Sequence, residues 1–355
     1  MVFNFLPKKK NQPKLGIDIS SSAVKLLEIS FDQGVYCVES YAVEPLPPGL
    51  VVEKTITDVE ILGNIIRQAV KKSGTSVKEA ITSVANSAVI TKLLPMDAVL
   101  TDEEIESQIR VEADQYIPYP LSEVSLDFEI LGPAEDLPDK VDILLTACRA
   151  EAVELRADAL DIGGLIAKIV DVESYAIERA CRLMVDHIPG GLHQTIAVMD
   201  IGASITTLTV LNEGKTVYTR EQIFGGRQLT EEIQRRYRLS FEEAGFAKKR
   251  GGLPEDYESE VLPHYLDAVV QQIIRCLQFF FSSSQYNHVD RIILAGGTAS
   301  IAGLRQMVED KVGAPTTVAD PLVDVAVSPG ISPAKLYEDA PALMVAIGLA
   351  LRSFE

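Results

Sequence analysis

The sequence predicts an α/β protein built from two similar halves. Two observations carry this. Strand-like segments alternate with helix-like ones along 355 residues, the signature of layered α/β architecture. One pattern also occurs twice, about half a chain apart: LGIDISSSAVKLLEI (15–29) and MDIGASITTLTVL (199–211). Each reads as an apolar strand, an Asp, an apolar residue, a turn of small residues and a second strand. An internal repeat of this kind implies a duplicated unit. With 47% hydrophobic residues, the chain can bury a core for two domains.

The elements follow in order. LGIDISSSAVKLLEIS (15–30) reads as a hairpin, and VYCVESYAVEPL (35–46) continues its sheet. ILGNIIRQAVKKSG (61–74) is a helix, with Ile61, Ile65, Ile66, Ala69 and Val70 at helical spacing and Gly74 as its stop. EAITSVANSAVITKLLPM (79–96) is strand-rich. In TDEEIESQIRVEADQYIPYP (101–120), Thr101 and Glu104 make a capping box. Ile105, Ile109, Ala113 and Tyr116 form one stripe, and Pro118 ends the helix. VSLDFEIL (124–131) alternates as a strand, a polar loop is expected over 132–140, and VDILLTACR (141–149) is another strand. A helix over 151–162 and the stretch IAKIVDVESYAIERACRLMV (166–185) lead to a boundary at HIPGGLHQ (187–194). The second pass runs strand, Gly/Ser turn, strand, turn, strand over 195–224, then helices over 230–286. RIILAGGTASIAGLRQMVEDKVG (291–313) is strand, Gly-rich turn and helix, and APALMVAIGLALRS (340–353) is a closing apolar helix.

Composition excludes several classes. Lys+Arg 33 against Asp+Glu 51 gives a net charge of −18, unsuited to a general nucleic-acid surface, where phosphates must meet cations. Cys37, Cys148, Cys181 and Cys276 include no CxxC pair, and the four histidines form no zinc spacing. Scattered thiols suit a reducing compartment. No apolar run reaches the roughly 18 residues that span a bilayer. MVFNFLPKKK reverses the order of a signal peptide. It reads as part of a flexible basic leader (1–14) with Lys8, Lys9, Lys10 and Lys14; a weak contact with anionic lipid is the alternative.

The repeated hairpins carry the chemistry. Asp18 precedes Ser20, Ser21 and Ser22; Asp200 precedes Gly202, Ala203, Ser204 and Thr206. Small residues let backbone N–H groups approach an anion closely, and hydroxyls add donors. Two such hairpins face to face would clamp a phosphate chain. Their carboxylates would hold a hydrated Mg²⁺, which prefers oxygen ligands and keeps several waters. Gly296 and Gly297, with Thr298 after them, form a turn flat enough for a nucleoside to lie against. Each motif alone is more often an ordinary turn. Their order argues for a nucleotide cleft: Asp hairpin, insert, Asp hairpin, helices, Gly-Gly turn, apolar helix. No P-loop, GxGxxG fingerprint or GxSxG elbow competes.

Taken as a whole, the chain resembles the actin-like ATPase superfamily, and within it the PilM family of type IV pilus assembly proteins. The resemblance runs through the phosphate hairpins (16–29 and 199–211), a connecting helix (169–185), GGRQLTEEI (225–233), the adenosine turn (294–304) and the terminal helix (340–352). EADQYIPYPLSEVSLDFEIL (112–131), YTREQIFGGRQLTEEIQRRY (218–237) and DAPALMVAIGLALRSF (339–354) are specifically PilM-like. It implies an actin-like (ribonuclease H-like) duplicated α/β fold with a 1C insertion as in FtsA. Subdomain 1A would comprise 15–85 plus 169–193, 1C 86–168, 2A 194–229 plus 290–355, and 2B 230–289. It implies ATP or ADP with Mg²⁺, a partner in the N-terminal cytoplasmic segment of PilN, and through it a PilN/PilO inner-membrane complex and the motor ATPases. The chain would then sit peripherally on the cytoplasmic face of the inner membrane. Lys25, Gly225 and Gly226 match nucleotide-contacting positions, and Glu243 and Lys248 sit where relatives meet the ribose or base. Ser240 and Glu243 also spell a capping box.

Glu173 matches the position that orients the attacking water in relatives; a solvated helix-start carboxylate is its plain alternative. Ser20 stands where most relatives carry Gly, and Gln228 where an acid is common, so the expectation is ATP binding with weak or absent hydrolysis. In this scheme ATP closes the cleft, and ATP and the PilN peptide shift each other's affinity. Tyr116, Ile117, Pro118 and Tyr119 are candidates for one wall of the peptide groove, with core and helix-stop duty as the alternative. Two other functions fit the fold, a small-molecule kinase and a filament-forming FtsA-like protein. No acceptor pocket is legible for the first. The chain stops at Ser353-Phe354-Glu355 without an amphipathic helix, which weighs against the second. A homo-oligomer stays open.

Overall fold

The structure, a computed structural model, describes residues 12–134 and 137–355. Except for its last three residues, the expected leader lies outside them; at its end, the Lys14 N–H donates to Ser353 Oγ (3.0 Å).

Strands β1 (Leu15–Ile19), β2 (Ala23–Asp32) and β3 (Val35–Pro45) form an antiparallel meander. All five residues of β1 are buried, because layers cover both faces of this central strand, the setting that calls for an unbroken apolar run. β4 (Val51–Val52) and β5 (Thr55–Ile56) make a minimal hairpin. Helix α1 (Val59–Ser73) is capped by Asp58, which accepts the Ile61 N–H, and stops at left-handed Gly74. β6 (Glu79–Val84) lies parallel to β1.

A compact module follows: β7 (Val89–Asp97), α2 (Asp102–Glu112), β8 (Val124–Ala134) and β9 (Leu137–Arg149). Its sheet order is β7-β9-β8, and α2 buries Ile105 and Ile109 against Leu94, Met96, Ile143 and Leu145. The Thr101–Glu104 capping box is formed. A loop is expected over 132–140, but strand runs up to Ala134 and again from Leu137. Two features permit this. β8 is an edge strand, where the missing N–H of Pro133 does no harm, and Gly132 takes φ +124° at a register shift.

Helix α3 (Ala150–Ile162) packs on α1, and β10 (Ile166–Val172) pairs parallel with β6. The segment 150–172 therefore belongs with the first sheet, although the expectation places 86–168 in the insertion. The connecting helix, expected from 169, starts at Glu173 as α4 (Glu173–Met184). The β-branched run before it is drawn into the sheet.

The second half repeats the first. β11 (Thr195–Ile201), β12 (Thr206–Asn212) and β13 (Lys215–Gln222) form the meander. Helices α5 (Gly226–Tyr237), α6 (Phe241–Arg250) and α7 (Leu262–Ser283) follow, then β14 (Arg291–Ala295), α8 (Leu304–Val312) and β15 (Thr316–Val318). β16 (Ala326–Val327), α9 (Pro333–Asp339) and α10 (Met344–Leu351) end the chain. The sheets run β3-β2-β1-β6-β10 and β13-β12-β11-β14-β15, one topology twice, with β16 added beside β3. That added strand ties the halves. So do α4 and α10, which pack on each other in one core with residues of both sheets, among them Leu27, Ile81, Val198 and Ile293.

Candidate functional site

The two repeated hairpins bring their carboxylates into one charged cluster, with Lys25 between Asp18 and Asp200. Asp18, 5% exposed, faces Lys25 across the β1–β2 register, and Lys25 Nζ lies 2.8 Å from its Oδ2. Ser20 closes the turn. Its N–H and Oγ donate to Ala23 O (3.0 and 2.8 Å), and its Oγ accepts the Ala23 N–H (3.3 Å). Ser20 has no left-handed φ, so serine replaces the expected Gly without backbone strain. Ser21 is half-buried and Ser22 exposed at the tip.

The second hairpin is held by the segment after β13. Gly226 N–H donates to Gly202 O (2.9 Å) and Arg227 N–H to Ala203 O (2.8 Å). A Cβ on Gly225 would lie 2.5 Å from Gly202 O, so only glycine fits there. Half-buried Ser204 sits in this turn, whereas the Thr206 hydroxyl donates inward to Phe224 O (2.9 Å). The Gly-Gly turn closes on the same point. Gly296, at φ +85°, lies so near Asp200 that a Cβ would stand 2.4 Å from its Oδ1. The Thr298 N–H donates to Ile201 O (3.2 Å). Gly297 is the opposite case: a Cβ there meets nothing within 4 Å. Lys248 Nζ donates to Gly226 O (2.8 Å) and Thr230 Oγ1 (2.7 Å), and burial pulls it down to about 8. Glu243 performs its capping role, accepting the Ser240 N–H (2.7 Å). Gln228 is exposed on α5.

Five charged groups converge between the hairpins: Asp18, Lys25, Lys54, Glu173 and Asp200. Burial pushes Asp200 up, and the ammonium groups of Lys25 and Lys54 oppose it. Burial works against charge on Lys25, but Asp18 and Asp200 more than offset it, so Lys25 is raised. Lys54 is raised for the same reason, with Glu173 foremost among its carboxylate partners. Glu173 is no solvated carboxylate: it is 5% exposed and paired with Lys54 at 2.7 Å, and burial raises it against that lysine's pull.

Lys54 and Arg156 escape a reading of the sequence. Lys54 sits in the β4–β5 turn with Glu53, at φ 68° and 48°. The only local signal is the two-residue gap in VVEKTI, and it lacks the Asn or Gly that marks such turns. Buried Arg156 of α3 donates to Ser83 O (2.7 Å), Ala152 O (2.7 Å) and Lys54 O (3.1 Å).

A second site lies where the three-stranded module meets the first sheet. A cavity of about 330 Å³ is lined by Leu126 of β8, Cys148 of β9, Ala157 of α3, Val170 of β10, and Val84 and Val89 at the junction. The candidates Tyr116, Ile117, Pro118 and Tyr119 do not line it. Ile117 is buried with Ala113 and Ala147, Tyr119 lies under the Arg149 guanidinium (4.2 Å), Tyr116 packs on the module core, and Pro118 is exposed. Tyr116, Ile117 and Tyr119 turn towards the module because α2 must close its own small core, and Pro118 alone stays exposed.

Duplicated sheets, with two Asp-bearing hairpins and a Gly-Gly turn meeting at one charged cluster, define an actin-like protein. A family described as "Type IV pilus assembly protein PilM" matches residues 16–354. The chain belongs to this PilM family of type IV pilus assembly proteins. It is similar to the solved "PilM-PilN type IV pilus biogenesis complex", at 30% identity and TM-score 0.80, covering 97% of this chain and 99% of that one. Ethanolamine utilization protein EutJ from Carboxydothermus hydrogenoformans matches at 16% identity and TM-score 0.58, covering 96% and 89%. MreB 5 of Spiroplasma citri bound to AMPPNP matches at 16% identity and TM-score 0.50, covering 96% and 95%. These two bear on the fold alone. Among the described residues, no helix is long and apolar enough to cross a membrane.

Proposed function

We propose that this chain is a nucleotide-binding scaffold of the type IV pilus assembly machine, taking ATP or ADP with Mg²⁺ in the cleft and a segment of PilN in the groove. The cleft fits such a group. Gly225 and Gly296 keep side chains out of the walls, and Gly297 opens onto free space where a nucleoside would lie. The turns around Ser21 and Ser204 would cradle the phosphates, with Lys25 supplying positive charge. Asp18 and Asp200 are the residues that would hold a hydrated Mg²⁺, which would supply positive charge opposite the phosphates. Glu173 is expected to orient a water, but Lys54 occupies its carboxylate. This favours binding over efficient hydrolysis.

The groove carries the partner reading. PilN is named with the related protein of the solved complex. Ser125–Asp127 of β8 and Ala167–Val170 of β10 line the cavity, and β8 and β10 are the outermost strands of their sheets. Two sheet edges beside apolar walls suit an extended peptide, which adds as a strand. The N-terminal cytoplasmic segment of PilN is the proposed occupant. It would hold the scaffold at the cytoplasmic face of the inner membrane, beside PilN/PilO and the motor ATPases. Titration calorimetry with a peptide of that segment tests this. Ala157→Trp, which fills the cavity, should abolish peptide binding while leaving nucleotide binding intact. Unchanged peptide affinity would place the partner elsewhere.

A further inference from the structure

One end of the first sheet is apolar where it meets solvent. There β2 and β3 are joined by the tight turn Gln33-Gly34. Beside that turn stand Phe31, 45% exposed, and Val35, 51% exposed. The Phe31 ring packs on Tyr36 (4.6 Å between centroids) and on Phe354 (6.0 Å). Turn chemistry favours polar and small residues here and does not call for an aromatic one. A contiguous apolar surface left in water marks an interaction site, where isolated exposed residues do not.

The basic segment of the chain joins at the same end. β1 begins with Leu15 opposite Glu28, and β2 runs on from that pair to Asp32. The residues before β1 therefore leave the sheet on the side of the β2–β3 turn. Lys14 marks the exit: its N–H donates to Ser353 Oγ (3.0 Å), next to Phe354. Residues 1–11 lie outside the described residues, and their sequence carries Lys8, Lys9 and Lys10 behind MVFNFL. The whole chain has a net charge of −18, yet no acid precedes Asp18. Two acids near the turn are already engaged. Glu39 accepts from Ser30 and from Ser328 (3.1 Å), and Glu355 accepts from Arg179 (2.8 Å) and Arg182 (3.1 Å). Asp32, in the turn itself, opposes the lysines but is outnumbered by them.

We propose that this end of the first half is a lipid-contact surface for an anionic bilayer. Phe31 and Val35 enter the headgroup layer, and Lys14 with Lys8, Lys9 and Lys10 meets the anionic headgroups. Apolar tips and a basic segment are each weak membrane signals, and stable attachment takes two. The contact would fix which side of the scaffold faces the membrane. It depends on neither the nucleotide nor the groove reading, and its test uses neither ligand.

The test is flotation of the full chain with vesicles of phosphatidylcholine, with and without phosphatidylglycerol. The wild type should partition on the order of 10-fold more strongly onto the anionic vesicles, and added salt should remove the difference. Val35→Asp leaves the aromatic contacts in place and should weaken anionic-vesicle binding by about 10-fold. Phe31→Ser should do the same; if it lowers the melting temperature, Val35→Asp decides alone. Lys8→Gln, Lys9→Gln and Lys10→Gln combined should abolish the preference for anionic vesicles. The proposal is overturned if the wild type ignores those vesicles, if Val35→Asp binds them as the wild type does, or if the preference survives the triple substitution.

Discussion

The two-residue β4–β5 turn requires positive φ at both central residues, and it places Glu53 and Lys54 there. Glu53 and Lys54 both adopt left-handed φ without being Gly or Asn, which costs roughly 1 kcal/mol or more each. What offsets this is tertiary: the ammonium reaches a carboxylate 119 residues away, inside the cleft. Lys54→Met should leave Glu173 buried and unpaired, destabilising the chain by about 3 kcal/mol near pH 8. The sign with pH follows from the direction of the Glu173 shift. An acid raised in the folded state binds its proton more tightly folded than unfolded, so the penalty for its charge is fully present above the folded pKa. It shrinks as pH falls towards the unfolded value near 4. Thermal melts of wild type and Lys54→Met should therefore converge between pH 8 and pH 5, and a constant gap would contradict this. Range in sequence also explains what was legible. Asp18, Asp200 and Gly296 announce themselves within hairpins and turns a few residues long. Lys54 and Arg156 take their roles from partners about a hundred residues distant, and no local pattern encodes them.

At the scale of elements, α10 shows how close backbone approach sets the architecture. All eight of its residues are buried, so it carries no amphipathic signature, only an apolar run. It meets β1 at Gly16, where a Cβ would lie 2.1 Å from Ala346 O, and α4 at Gly348, where a Cβ would lie 1.7 Å from Ala176 O. Gly348→Ala should force α4 and α10 apart at a cost of about 3 kcal/mol or more, the upper end for overpacking a tight core. Chemical denaturation measures it, and a loss under 1 kcal/mol would show that the helices separate easily. Most elements were legible because local period and caps agree with the tertiary role, as in α1 with Asp58 and Gly74 or α2 with its capping box. The misplacements have tertiary causes. Whether 132–134 and 137–140 are loop or strand depends on β8 lying at a sheet edge, and whether 169–172 is strand or helix depends on β6 offering it a partner.

At the scale of the molecule, the duplication seen in two short sequence motifs extends to two whole sheets of equal topology. The Asp hairpins lie at matching places in each half, and α4, α10 and β16 join the halves around the cleft. The groove was not legible in the same way. It is a property of the junction between an inserted module and the first sheet, lined by residues from several elements, and the inward turn of Tyr116, Ile117 and Tyr119 moves it away from where exposed-looking aromatics point. The central claim is the nucleotide cleft, and Gly297 gives the sharpest access to it. A side chain there enters open space at a backbone position that tolerates one, so Gly297→Phe should fill the nucleoside's place without disturbing the fold. Calorimetry with Mg·AMPPNP should show saturable one-to-one binding to the wild type. For Gly297→Phe with an unchanged melting temperature, binding should be weakened by at least about 10-fold, or about 1.4 kcal/mol. Equal binding by both proteins, or none by the wild type, would contradict the account.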